Sequence, residues 1–152
     1  MKERFHHIIH ELPLIYNKGD YTTTQSLALE YLSLAEQFPS DWNYGNAIHI
    51  AHIFLGLLAL KEGNIDSAKD HLLKAGNTKG SPQLNSFGPN MLLAKELLEI
   101  GEMEIVIAYM ELCKQFWHST MRLVAGRPLK KWKQSIENGE IPDFGANLNY
   151  QM

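Results

Sequence analysis

Three groups of side chains in this sequence have the types and spacing to do chemistry. His6 and His10 lie one helical turn apart, a spacing that could put two imidazoles on one metal ion with Glu3 as a third ligand. Two or three ligands on one exposed helix do not close a coordination shell, so a solvated histidine face is expected there and no metal site. His49 and His52 fall inside "AIHIAHIFLGLLAL", residues 47–60, the most apolar run of the chain. In such surroundings a histidine is expected to be a hydrogen-bonded core residue rather than a base or a ligand. The third group is the loop that begins "GNTKGS", which holds the residues of a phosphate cradle in the wrong order. Lys79 precedes Gly80, and a helix rather than a strand leads into the loop, so no phosphate site is expected. Arg122, Arg127, Lys130, Lys131 and Lys133 surround Trp132 and could meet an acidic partner, but Trp132 shares an apolar stripe and the cluster reads as a solvated helix face. No catalytic residue and no cofactor follow from these groups.

The elements that must carry such residues are set by composition and punctuation. The chain has 152 residues, 45% hydrophobic and 20% charged, the balance of one soluble domain that buries its own core. A net charge of -3 is too small to single out nucleic acid or an anionic membrane as partner of the whole domain. The single cysteine, Cys113, excludes an internal disulfide framework, the start "MKERFHHIIHELP" lacks a secretory core, and the apolar run 47–60 is too short to cross a bilayer. A cytoplasmic protein is expected.

Periodicity gives helices throughout and no convincing strand. Phe5, Ile8, Ile9 and Leu12 form one stripe, expected to kink or end at Pro13. Leu27, Ala28, Tyr31, Leu32, Ala35 and Phe38 form a second, after candidate caps at Asp20 and Thr22 to Thr24 and before Pro39. Asp41 is the expected cap of a third helix that runs through the apolar segment to Gly63, is greasy on almost every bearing and so belongs at the centre. Asp66 suits the first turn of a fourth, ending near Gly76. Pro89 is the expected start of a fifth, Gly101 its end; a sixth runs from about Glu102 towards Val124, and a seventh is entered through Pro128 and ended by Gly139. The domain is expected over residues 1–139, with residues 140–152 as an extended tail.

A repeat is visible in "HIFLGLLALKEGNIDSAKDHLLKA", where His52, Leu55, Gly56 and Ala59 are followed by Ala68, Leu72 and Ala75. A second copy, 38 residues on, offers Asn90, Leu93, Ala94, Leu97, Val106, Met110 and Cys113, with Gly63 mapping onto Gly101; Ala28, Leu32, Ala35 and Pro39 make a partial third. Cys113 takes the slot of Ala75 and is expected to pack as a small apolar side chain. Small residues at Gly56, Ala68, Ala75 and Ala94 let paired helices approach closely. The pattern resembles the tetratricopeptide repeat over roughly residues 20–118, most specifically from His49 to Pro82. The wording of the loop and of "IENGEIPDFGANL" is similar to uncharacterised bacterial helical-repeat proteins, from which no activity is carried over.

The resemblance implies an all-α stack of antiparallel helical hairpins, about three pairs with a C-terminal cap, in a short right-handed superhelix. It also implies an interaction scaffold whose first helices line a concave groove. Carried over residue by residue, the groove face is Ile50, Ile53, Leu57, Leu60 and Lys61, then Gly88, Met91, Lys95, Leu98 and Glu99. Such a face is too greasy for a carboxylate clamp, and water would not wet it. The protein's own tail, through Ile141, Phe144, Leu148 and Tyr150, is one expected cover; a second copy in a homodimer or a partner helix are the others. The loop is four residues longer than stacking needs, which marks it either as a functional loop or as one that packs down on Leu84 and Phe87.

The function expected is non-catalytic binding of a protein or peptide by Ile50, Ile53, Leu57, Lys61, Asn85, Phe87, Asn90, Met91 and Lys95. The alternative is a small-molecule binder or enzyme with a pocket built from the 76–91 loop and the helix of His49 and His52.

Overall fold

The computed structural model describes residues 1–117 and 122–148. Its helices are α1 (Lys2–Asn17), α2 (Tyr21–Gln37), α3 (Tyr44–Lys61), α4 (Ile65–Gly76), α5 (Pro82–Phe87), α6 (Leu92–Glu99), α7 (Met103–Cys113) and α8 (Arg122–Glu137), with a 3-10 turn at Gly145–Leu148. The fold is all-α, with no strand among the described residues. No helix among them is long and apolar enough to cross a membrane.

Each helix follows from its stripe and its stops. Phe5, Ile8, Ile9 and Leu12 are the buried side of α1, but Pro13 does not end it. A proline inside a helix removes one backbone bond; here Ile15 and Tyr16, packed against the core one turn further on, carry the helix to Asn17. In α2 the Asp20 carboxylate caps the helix by accepting from the Thr23 N–H at 3.1 Å. Asp41 does not cap α3: the N-cap is Asn43, and the Asp41 carboxylate accepts from the Asn43 N–H at 2.8 Å, bracing the turn before the helix.

Helix α3 is the centre of the molecule. It is buried on nearly every bearing from Ala47 to Ala59 and packs against α1, α2, α4, α5 and α6. Its closest neighbour is α4, joined to it through a turn in which Gly63 takes φ +76°, a conformation that favours glycine. Gly56, Ala68 and Ala94 all lie in the interior. A Cβ added at Gly56 would fall 2.3 Å from Leu93 Cδ2, so the missing side chain is what lets α6 close on α3. Helices α1 with α2, α3 with α4, and α6 with α7 are each neighbours in space as in sequence, and α8 packs on α7.

Three boundaries differ from the sequence expectation. The long loop contains its own helix, α5, with Ser81 as N-cap and Pro82 in its first turn. Helix α6 starts at Leu92 rather than Pro89, because Asn90 Oδ1 accepts from the Leu92 N–H and opens the helix there. Helix α7 stops at Cys113, since the turn that follows tucks Phe116 and Trp117 into the core, and α8 begins at Arg122 with Pro128 inside it.

Candidate functional site

The loop between α4 and α6 is braced from three sides. From beneath, the His49 imidazole, fully buried, donates from Nδ1 to the Ala75 carbonyl at 2.9 Å and accepts the Asn90 N–H on Nε2 at 2.9 Å. Those two partners fix one neutral tautomer. Burial holds the ring at about 4 against its ordinary 6.5, with the Ala75 carbonyl pulling the other way. Tyr109, stacked parallel to the ring, donates its hydroxyl to the Asn90 carbonyl at 2.7 Å. Both backbone groups of Asn90 are thus taken by side chains of α3 and α7.

From the side, a chain of buried polar groups runs from α1 to α5. Asn43 Nδ2 donates to the Phe5 carbonyl at 3.1 Å, and its Oδ1 accepts from the Tyr31 hydroxyl and from Asn46 Nδ2, each at 3.1 Å. Asn46 accepts the Ser81 hydroxyl on its own Oδ1, and donates to Gln83 Oε1 at 3.1 Å. Ser81 Oγ in turn accepts from the Leu84 N–H at 3.0 Å, starting α5. Among the described residues no buried side-chain polar atom lacks a partner. A network satisfied at every member favours a single arrangement, because each broken link strands a polar group away from water.

Glycines make the close approaches. A Cβ at Gly45 would lie 2.1 Å from the Gly80 carbonyl oxygen, and one at Gly80 2.4 Å from Phe116 Cβ. The third side is the tail. Asn147 Nδ2 donates to the carbonyls of Phe87 and Pro89 at 3.0 and 2.9 Å, while its own carbonyl accepts the Met91 N–H at 2.8 Å.

The expected binding residues divide into two sets. Ile50, Ile53, Leu57 and Met91 are 4%, 0%, 0% and 0% exposed, so the face read as an open apolar groove is closed. The correction has a plain cause: α3 is apolar all round and is ringed by other helices, which leaves no oily side facing water. Asn90 is buried in the bracing just described. Asn85, half-buried, sets its side-chain amide against the Phe116 and Ser81 carbonyls, 2.9 and 3.2 Å away, and two acceptors there assign the nitrogen to that side. Lys61 is exposed, with its ammonium 5.8 Å from the Tyr21 ring centroid, and Lys95 is half-buried. Of the two expected plugs, Leu84 is fully buried and Phe87 is 59% exposed.

A cleft of about 780 Å³ lies between the loop and the α2–α3 connection, lined among others by Trp42, Tyr44, Thr78, Lys79, Ser81 and Gln115. Its lining takes the start of the 76–91 loop and, from the helix of His49 and His52, Tyr44, Gly45 and Ile48, but neither histidine and neither Asn85 nor Asn90. His52 faces His71 of α4 instead, their Nδ1 atoms 3.0 Å apart. One ring donates and the other accepts, and burial, then its neighbour's charge, holds His52 at about 4. Cys113 is fully buried and its thiol is pushed far up by burial, which suits packing and not nucleophilic attack. His6 turns to Asp41, with Nε2 at 3.0 and 3.1 Å from the two carboxylate oxygens, and stacks near Trp42. Burial pushes the Asp41 carboxyl up, but the Asn43 amide and His6 outweigh it and hold it below the usual range. Among the described residues no three histidine, cysteine, aspartate or glutamate side chains gather as a metal site. Of the basic cluster, the side chains of Arg122 and Arg127 lie outside the described residues, as does Tyr150 of the tail.

Asn43, Asn46 and Tyr109 were not anticipated. The signal for the asparagines was in the sequence: two amides three residues apart at the start of an apolar helix must find partners. No protein-family model, no curated protein and no solved structure matches the chain.

Proposed function

We propose that the chain is a non-catalytic scaffold of stacked helical hairpins, resembling tetratricopeptide repeats, that binds a protein or peptide partner through the face of the 76–88 loop. The pairing of α1 with α2, α3 with α4 and α6 with α7 supports the repeat reading, as does the seam of small residues at Gly56, Ala68 and Ala94. The observation that carries the binding reading is Phe87: a large apolar ring, 59% exposed, on a loop held by buried bonds on both flanks. Water gains nothing from such a ring, and holding its backbone in one conformation lowers the entropy lost when a partner covers it. The chemically able groups are already engaged, His49 by both nitrogens and Cys113 by burial. The test is capture of partners from lysate of the native host with the wild-type chain and with Phe87→Asp. Loss of a partner from a variant that keeps its helical spectrum and a cooperative melt supports the reading. Identical capture by both chains refutes it.

The cleft favours a second reading, a small-molecule site. Its volume of about 780 Å³ lies within the range of ligand pockets, and it combines a half-exposed Trp42 and Tyr44 with Lys79 as a charge. A ligand seated there would change Trp42 fluorescence, Lys79→Ala would weaken it, and Phe87→Asp would leave it unaltered.

A further inference from the structure

The tail sits on the protein as a bound peptide would. After α8 the chain turns at Gly139, φ +81°, and passes Pro142 without regular secondary structure to reach the loop. Phe144, 2% exposed, packs edge-on against Trp132 at 5.0 Å between ring centroids; Trp132 lies 5.7 Å from Trp117, whose indole covers Gly88. The glycine is required, since a Cβ there would meet Trp117 at 2.4 Å. Three residues after Phe144, the Asn147 amide spans the carbonyls of Phe87 and Pro89, and its backbone oxygen takes the Met91 N–H. Leu148 is half-buried beside the core, whereas Ile141 is 47% exposed and takes no part.

This is recognition by a buried aromatic ring, a side-chain amide and one main-chain bond, with the Asn147 contacts presented from a 3-10 turn. The hydrogen-bond anchors are few and local and the Asn147 bond to Phe87 is at the surface, while Phe144 seats in the hydrophobic core cluster, so release of the segment uncovers Trp132. We propose that the cleft formed by residues 87–91 with Trp117 and Trp132 is a peptide-binding site, occupied at rest by Phe144–Leu148. Its partner is a protein segment of the same chemistry, an aromatic residue followed three positions later by asparagine and then an aliphatic residue, which enters by displacing the tail. The inference deepens the scaffold reading on which it rests, by naming the partner's chemistry and making the tail its competitor.

The test has two parts, both on the full chain. Amide exchange in the wild type should show Met91, held by the tail, opening at least about a hundredfold faster than its neighbour Asn90, held by His49 in the core. The double variant Phe144→Ala, Asn147→Ala should then bind a synthetic peptide EIPDFGANL, read by tryptophan fluorescence, at least about tenfold more tightly than the wild type does. The same peptide with alanine for its asparagine should bind about tenfold more weakly than the parent peptide. Met91 and Asn90 exchanging together through global unfolding, a double variant that fails to fold, or a folded one that ignores the peptide would each overturn the proposal. Loss of capture on Phe87→Asp is a separate result, so the scaffold reading and this one can fail independently.

Discussion

Replacing His49 by alanine should be among the most damaging changes at any one position of the interior. The ring serves two backbone groups, the Ala75 carbonyl and the Asn90 N–H, in a fully buried place. A buried polar group that loses its partner costs about 1–3 kcal/mol, and the space vacated by the ring adds to it, so about 3–5 kcal/mol is expected at neutral pH. At about 3 °C per kcal/mol for a chain of this size, the melting temperature should fall by about 10 °C or more. The pH dependence gives a sharper signature. Above 6.5 the ring is neutral in the folded and unfolded chain alike and adds no slope. Below 6.5 the unfolded chain takes up a proton that the folded chain refuses until about 4, so stability falls as the pH falls through that window. At 1.36 kcal/mol per unit, the loss attributable to His49 is about 3 kcal/mol. His52 contributes in the same direction in both proteins and cancels from the difference. Urea unfolding of wild type and His49→Ala between about pH 4 and about pH 7.5 measures both quantities, and the gap between the two curves should narrow on acidification. A loss below about 1 kcal/mol at neutral pH, or two parallel curves, would refute the role given to the ring.

Gly45→Ala, which forces a Cβ to 2.1 Å from the Gly80 carbonyl oxygen, should destabilise by more than about 2 kcal/mol, as a backbone neighbour cannot step aside. Gly63→Ala, with nothing nearby but φ +76°, should cost only about 1 kcal/mol; thermal melts of the two variants would separate crowding from backbone strain. Tyr109→Phe removes the hydroxyl from the Asn90 carbonyl and should cost about 1–2 kcal/mol in urea unfolding while leaving the helical spectrum unchanged. Cys113 should react with a thiol reagent only on unfolding, so that its labelling rate in urea tracks the unfolded fraction; fast labelling of the native chain would contradict its burial.

Much of the fold was legible because its causes are local. The stripe of α1, the Asp20 cap of α2 and the all-round apolar α3 could each be read from a few residues, and the small seam at Gly56, Ala68 and Ala94 could be read from spacing. What was not legible depended on partners far apart in the chain. A helix greasy on every side does not say which side its neighbours leave open, so the repeat resemblance places Ile53 and Leu57 in a groove that five other helices leave no room for. Helix α5 was signalled by Ser81 before Pro82, a cap followed by a proline in the first turn, but six residues are too few for a period to show. The glycine-rich composition of the loop concealed its close packing. Gly80 and Gly88 serve close packing against Phe116 and Trp117, and nothing in composition distinguishes that use from flexibility.

The claim on which the functional account stands is that residues 77–91 form a clamped platform from which Phe87 projects. Residue-resolved amide hydrogen exchange at neutral pH tests it most directly. Leu84, bonded to Ser81, and Asn90, bonded to His49, should exchange within about tenfold of the slowest amides of α3. Exchange of those two amides at the rate of an unstructured peptide would show a loose loop, and the platform would not exist.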